Sequence, residues 1–161
     1  MLRIAKLTDY ATVLLAVLAR EPGQLQTAAS LAERTHIGAA TVSKLLKQLQ
    51  RTGLVASTRG LHGGYQLARP AQAISAAAIL DALEGPVTLT DCAAGAGHCE
   101  IERTCHTGRT WQRINVAIRR ALDDVSLAQL AGTDHAQVRM PSLDRELQSL
   151  TPRATPSGRS T

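Results

Sequence analysis

Aromatic side chains are almost absent from this chain of 161 residues, which has no phenylalanine, two tyrosines and one tryptophan. Apolar residues nevertheless make up 44% of the sequence, so a core has to be built from leucine, valine, isoleucine and alanine. Leucine and alanine favour helices, whereas strands are usually rich in aromatic residues. The composition therefore predicts a mainly α-helical protein.

A long apolar run is also lacking. The most apolar stretch, residues 11–19, is far shorter than the roughly 20 residues of a membrane span. Charged residues precede it and no convincing cleavage site follows, so a secretory signal is not indicated. We therefore expect a cytoplasmic protein without a membrane partner. Its three cysteines all lie between residues 92 and 105, and in a reducing compartment such a cluster suggests metal or redox chemistry more than a structural disulfide.

The positive charge is confined to one half of the chain. Residues 1–70 contain nine Lys and Arg against three Asp and Glu, whereas residues 71–161 contain nine Arg, no Lys and ten Asp and Glu. A basic half beside a nearly neutral half points to a polyanionic partner, with nucleic acid the leading candidate. The alternative is an ordinary solvated basic surface.

Apolar periodicity predicts five helices. They cover residues 9–20 with Thr8 as N-cap, a short helix that starts at Thr27, residues 39–51, residues 75–84 and residues 107–124. Gly53 lies where a left-handed cap belongs. The pattern predicts two strands, at residues 54–58 and 65–68. The turn between them, residues 59–64, contains glycines that are expected to supply unusual backbone angles.

Two helices joined by a tight turn and followed by a glycine-turned hairpin form the winged helix-turn-helix plan. The helix over residues 39–51 should bury Val42, Leu45, Leu46 and Leu49 and present its opposite face to a major groove. That face is formed or bordered by Ala40, Thr41, Ser43, Lys44 and Lys47. The hydroxyls suit base edges or phosphates, and the lysines suit guanine acceptors or phosphates. On the hairpin, Arg59 and His62 project from the tip, where an arginine can enter a narrow minor groove. The alternative is that these helices only pack a small domain.

The spacing of the cysteines is compatible with several kinds of site. Six residues separate Cys92 from Cys99, and five separate Cys99 from Cys105. Thiolates are the usual ligands of iron–sulfur clusters, whereas zinc sites more often use pairs two to four residues apart. Unliganded thiols, a redox-switchable disulfide and a zinc site remain alternatives. For a fourth ligand the chain offers His98, Glu100, Glu102, His106 and the distant Asp9.

Three features together resemble the IscR/NsrR-type (Rrf-type) family of winged-helix iron–sulfur regulators. They are Lys-Leu-Thr-Asp-Tyr-Ala at 6–11, Arg-Gly-Leu-His-Gly-Gly-Tyr-Gln-Leu at 59–67, and the three late cysteines. The resemblance covers residues 1–131, and the branch it is most similar to regulates the SUF iron–sulfur assembly operon. It implies a homodimer held by the long helix after the cysteines, and a palindromic double-stranded DNA operator with half-sites about one turn, roughly 34 Å, apart.

The resemblance also implies the ligands of a [2Fe-2S] or [4Fe-4S] cluster. Cys92, Cys99 and Cys105 match the family's thiolates. One branch has a histidine three residues after the last cysteine, but this chain has Gly108 there. Another branch uses an aspartate from the partner subunit, which Asp9 matches, so Asp9 in trans is preferred and His106 is second. The alternative for Asp9 is a favourable interaction with the helix dipole.

These inferences divide the chain into four parts. They are a winged helix-turn-helix domain over 1–84, a cysteine-bearing loop over 85–106, a dimerisation helix with a following short helix over 107–131, and a polar tail over 132–161 that is expected to be disordered. The leading hypothesis is a repressor that senses cluster or redox status. A metal-free cysteine-based redox regulator is the alternative. A thiol enzyme or cluster carrier is disfavoured, because no motif ties a catalytic base to a cysteine.

Overall fold

The structure, a computed structural model, describes residues 4–91, 99 and 106–134. Cys92, Cys105 and residues 135–161 of the predicted polar tail lie outside the described residues. The helices and strands follow in this order: α1 (Lys6–Arg20), α2 (Ala28–Thr35), α3 (Ala39–Arg51), β1 (Val55–Thr58), β2 (Gly64–Leu67), a 3₁₀ turn (Ala71–Ala73), α4 (Ala76–Glu84), α5 (Gly108–Asp123) and α6 (Leu127–Leu130).

The mainly helical prediction is confirmed, and several local signals act as expected. The helix predicted to start at Thr27 begins one residue later, because the Thr27 side chain accepts a hydrogen bond from the backbone N–H of Ser30 and caps α2. Gly53 follows α3 with a φ of 73°, which glycine adopts without a steric penalty. Within the described residues, no helix has both the length and the apolar character needed to cross a membrane.

The start of α1 differs from the prediction. The helix begins at Lys6, so Thr8 is not its N-cap but a buried residue of the first turn. The carboxylate of Glu84 acts as a cap instead. It accepts a hydrogen bond from the backbone N–H of Ala5 at 3.1 Å and another from the Thr8 hydroxyl. A carboxylate at a helix N-terminus is favourable because it faces unsatisfied N–H groups and the positive end of the helix dipole.

The core is aliphatic, as the shortage of aromatic residues requires. Leucine dominates the fully buried side chains, most of which come from α1, α2, α3, α4 and α6; they include Leu14, Leu15, Leu31, Leu45, Leu46, Leu49, Ile79 and Leu127. The short helix α6 completes this core. Ser126 and Gln129 form a capping box at its start, and Leu127 and Ala128 are fully buried. The chain that follows α5 thus returns to pack against α1.

The helix α5 lies on the outside of this core. None of its residues is buried. It is attached to α4 by Arg119, whose guanidinium donates two hydrogen bonds to the carboxylate of Asp81. The hydrogen bonds to that carboxylate raise the pKa of Arg119 above its ordinary value. Asn115 adds a second attachment, because its side-chain oxygen accepts the Leu89 N–H at 3.2 Å.

The two strands form an antiparallel hairpin whose register pairs Val55 with Leu67 and Thr58 with Gly64. A third segment joins it. Gln26, between α1 and α2, exchanges two backbone hydrogen bonds with Tyr65, at 2.9 and 2.8 Å. The hairpin is therefore attached to the helix-turn-helix through its second strand as well as through the chain that follows α3.

Candidate nucleic-acid interface

The turn between α2 and α3 has the tight geometry of a helix-turn-helix. His36 ends α2 in the left-handed conformation, with φ 55°, a region in which histidine is among the more tolerated residues. Ile37 is then buried. The carbonyl of Gly38 accepts the N–H groups of Thr41 and Val42 at 2.9 and 3.0 Å, which starts α3. The buried isoleucine fixes the angle at which the second helix leaves the first.

The predicted burial of α3 is confirmed, and it determines which face of the helix is free. Val42, Leu45, Leu46 and Leu49 are at most 1% exposed. On the opposite side, exposed residues recur at helical spacing: Ala40, Lys44, Lys47 and Arg51. Thr41 and Ser43 are half-buried at the two edges of this face, so only part of each side chain is open to a partner. Arg51 extends the basic face by one turn beyond the residues predicted from the sequence.

The hairpin, or wing, ends in a tight turn. The N–H of Gly63 donates to the carbonyl of Gly60 at 3.0 Å, which places Leu61 and His62 at the two corners, both exposed. Gly60 has a φ of 115°, as the glycine prediction requires. Gly63 and Gly64 have no such angle. At Gly63 a Cβ would lie 2.3 Å from the Thr58 carbonyl oxygen, and at Gly64 it would lie 2.9 Å from the Gln26 carbonyl oxygen.

The prediction that all the turn glycines supply unusual angles is therefore wrong for Gly63 and Gly64. These two positions need glycine because neighbouring backbone occupies the space of a side chain. Gly63 lets the tip close over Thr58, and Gly64 lets the wing lie against the segment before α2. The repeated glycines in the sequence located the turn. Only the fold shows that backbone crowding is the reason for glycine at Gly63 and Gly64.

A groove of about 470 Å³ separates the wing from α3 and from the start of α2. Lys47 of the helix and Arg59 of the wing both line it, so two predicted DNA-binding residues share one surface. Gln50 reaches across and donates to the Ser57 hydroxyl at 2.7 Å, which holds the wing near the end of α3. Sequence reasoning missed Gln50 and Ser57, because nothing in their spacing indicates that they meet.

The basic side chains around this groove differ in whether an acidic residue pairs with them. Arg34 of α2 forms a two-point ion pair with Glu21, at 2.8 and 2.9 Å. By contrast, Lys44, Lys47 and Arg59 form no ion pair with any residue that the structure describes. Their positive charge is available to an anionic partner, and a row of phosphates is the partner that such a surface suits.

The candidate cluster ligands are only partly within the described residues. Asp9 is exposed in the first turn of α1, His106 is exposed just before α5, and Cys99 is half-buried with a free thiol. Within residues 4–91, 99 and 106–134, no three His, Cys, Asp or Glu side chains come together as a metal site. Asp9, Cys99 and His106 of one chain therefore do not form a three-ligand group. Cys92 and Cys105, the other two predicted thiolates, lie outside that range.

The predicted apolar stripe of α5 is divided between two surroundings. Ile118 and Leu122 line a groove of about 440 Å³ together with Leu80 of α4. Nearer the start of α5, Trp111 and Ile114 are 42% and 39% exposed. The described part of the chain therefore covers the C-terminal half of the stripe only in part and leaves the N-terminal half open.

Comparison with known proteins gives consistent matches. The family model named Rrf2, iron-dependent transcriptional regulator, matches residues 4–133. An HTH-type transcriptional regulator of Haemophilus influenzae is 32% identical over 119 residues, which cover 74% of this chain and 79% of that protein. The HTH-type transcriptional regulator IscR of Yersinia pseudotuberculosis is 34% identical over 102 residues, which cover 63% of this chain and 62% of IscR. The match thus spans less than two thirds of the length of IscR.

Solved structures that resemble this chain also belong to regulators. CymR (YrzC), the global cysteine regulator of B. subtilis, superposes with a TM-score of 0.65 at 29% identity, covering 83% of this chain and 99% of CymR. IscR of T. potens gives a TM-score of 0.63 at 28% identity, covering 84% of this chain and 91% of that one. These matches confirm the winged-helix fold, and the relatives are transcriptional regulators rather than enzymes.

Proposed function

Because the chain belongs to the Rrf2 family of transcriptional regulators, we propose that it is a homodimeric repressor that binds a palindromic operator and senses iron–sulfur cluster or redox status. The observation that carries this proposal is the shared groove between α3 and the wing, where Lys47 and Arg59 have no acidic partner among the described residues. In this proposal α3 enters the major groove, with Ala40, Thr41, Ser43 and Lys44 nearest the bases, and the wing carries Arg59 and His62 to the adjacent minor groove.

The exposed half of α5 supports the homodimer. An amphipathic helix gains little stability in water unless its apolar face is covered, and Trp111 and Ile114 of this face are both more than a third exposed. A second copy of the same helix would cover these residues around a twofold axis. Such an axis presents two recognition helices to two half-sites, which is why the operator should be palindromic.

Cys92, Cys99 and Cys105 are proposed to hold the cluster, with Asp9 of the partner subunit as fourth ligand and His106 as second choice. These residues fit an iron–sulfur cluster, because thiolates are its usual ligands and Cys99 does not form a disulfide. An iron–sulfur cluster supplies a redox-active and chemically labile group. Asp9 suits a labile site, since its exposed carboxylate is available to a second chain.

Contacts at the start of the cysteine segment support this arrangement. The segment leaves α4 directly after Glu84, whose carboxylate caps α1 through Ala5 and Thr8, in the same turn as Asp9. Asn115 of α5 then accepts the Leu89 N–H, three residues before Cys92. The start of the segment is thereby attached to α1, which packs against the recognition helix, and to the proposed dimer helix.

The proposed target is the SUF iron–sulfur assembly operon, on the resemblance carried by residues 59–67 and the three cysteines. The test is anaerobic purification and reconstitution, followed by titration of a labelled SUF promoter duplex with the loaded and the cluster-free protein. We expect visible absorption with iron and sulfide near cluster stoichiometry, and DNA affinities that differ between the two forms. Equal affinities, or failure to take up iron and sulfide without oxygen, would contradict cluster sensing.

A metal-free regulator in which the cysteines respond directly to oxidants is the second candidate. It is favoured by the free, half-buried thiol of Cys99 and by the structural similarity to CymR, a global cysteine regulator. Colourless, iron-free protein whose DNA affinity still changes with peroxide would support this candidate over the first.

A further inference from the structure

Leu61, at the tip of the wing, is 96% exposed. This is by far the largest exposed fraction among the large apolar side chains that the structure describes. The next, Ile4, is 57% exposed. Single exposed apolar residues are common on protein surfaces, so exposure alone says little. The place of this leucine in the wing is what distinguishes it.

Leu61 has no folding role that the structure shows. It occupies a corner of the Gly60–Gly63 turn, next to His62. Such corners usually carry glycine, proline, asparagine, aspartate or serine, which favour the turn itself. Leucine adds nothing to the turn, and its side chain contacts too little of the protein to support the core.

The turn holds Leu61 at the tip of the wing. Gly63 allows the tip to close on Thr58, where any side chain would collide with the backbone. The exposed side chains around Leu61 are Arg59, two residues before it, and His62, directly after it. An apolar tip with basic neighbours and no acidic residue between Thr58 and Tyr65 matches a polyanionic groove with apolar walls.

The minor groove of DNA is such a surface. Its walls are sugar rings, its edges are phosphates, and proteins that bind it often insert leucine or similar side chains between base pairs, which bends the duplex at flexible pyrimidine–purine steps. We propose that Leu61 is an apolar wedge that enters the minor groove beside Arg59 and makes operator choice depend on a deformable step there. This inference rests on the proposed function.

The test uses the full-length protein and a duplex that the unaltered protein selects from a random library. Leu61→Ala, Leu61→Met and the control Leu130→Ala, which truncates another exposed leucine on α6 (45% exposed), are compared by fluorescence anisotropy. End-to-end energy transfer reports bending of the duplex. Thermal melting checks that each variant is folded.

Loss of most of the buried area of one leucine corresponds to an affinity about five- to twentyfold weaker. We expect this loss for Leu61→Ala, together with reduced bending, an unchanged melting temperature and an unchanged slope of affinity against salt, because no charge is removed. Leu61→Met and Leu130→Ala should bind within twofold of the unaltered protein. Replacing a pyrimidine–purine step under the wing should weaken the unaltered protein more than Leu61→Ala.

Binding and bending by Leu61→Ala within twofold of the unaltered protein would overturn the wedge, as would a loss accompanied by a changed salt slope. Failure of the unaltered protein to bind any duplex would instead refute the proposed function, and the inference with it.

Discussion

Replacing Gly63 by alanine tests whether the wing is needed for DNA binding separately from the fold. An added Cβ would lie 2.3 Å from the Thr58 carbonyl oxygen and 3.0 Å from that of Gly60. Real Cβ atoms essentially never approach another heavy atom more closely than 3.0 Å, so backbone must move by at least about 0.7 Å. Thr58 is held by its pairing with Gly64 at the end of the hairpin, so the shift has to be made by the residues of the tip. The wing tip should therefore open.

The cost to folding should be small. The tip contributes no buried residue to the core, and the one hydrogen bond at stake, from Gly63 to Gly60, is worth about 0.5–1.5 kcal/mol. We therefore expect the free energy of unfolding to fall by no more than about 1.5 kcal/mol. For the unfolding measurement alone, Gly38→Ala is the control for adding a methyl group, since Gly38 has a φ of −54° and no atom lies within 4 Å of the place that the methyl group would take.

The cost to DNA binding should be larger. Opening the tip displaces Arg59, and a hydrogen bond to a charged group is worth about 1.5–3 kcal/mol, so affinity should fall at least about tenfold. The slope of log affinity against log salt should also become shallower, by about 0.9 for each phosphate that is no longer neutralised. Anisotropy titrations at several salt concentrations, with urea unfolding in parallel, measure both effects. Unchanged affinity and slope in the folded Gly63→Ala protein would show that the wing is not part of the interface.

Three further substitutions test the proposed roles of individual side chains. Arg59→Ala should weaken operator binding and make it less sensitive to salt, because one cation is removed; unchanged affinity in the same titrations would remove Arg59 from the interface. Cys99→Ala should prevent stable cluster assembly, as measured by iron and sulfide content after anaerobic reconstitution, and full iron content would refute the ligand role. Asp9→Ala should shorten the lifetime of the cluster in air without preventing folding, since Asp9 is exposed; an identical visible spectrum and lifetime would exclude it as the fourth ligand.

Much of the DNA-binding unit could be predicted because its signals are local. The bounds of α3 agree with the prediction, since Val42, Leu45, Leu46 and Leu49 repeat at helical spacing over the whole helix. Its free face follows from the same periodicity. The cap at Thr27 and the left-handed Gly53 are likewise set by residue type and by one neighbouring turn.

The failed prediction at the start of α1 concerns a partner far away in the chain. Thr8 has the side chain of an N-cap, yet it lies inside α1, because the carboxylate of Glu84, 76 residues later, takes over the capping role. The packing of α6 against α1 and the link between Gln50 and Ser57 were not predicted at all. A single sequence does not show which polar residues will meet after the chain has folded.

The sequence alone determined the helical composition, the basic first half, the amphipathic recognition helix and the position of the wing, because residue type and short-range spacing set these properties. Only the tertiary structure decided that Lys47 and Arg59 line one groove, that Gly63 and Gly64 are required by crowding, that Glu84 caps α1, and that half of the α5 stripe stays open. The crowding at Gly63 arises within the hairpin itself, from Thr58 five residues earlier. The other features depend on which distant backbone segments come together, and that arrangement exists only once the core has formed.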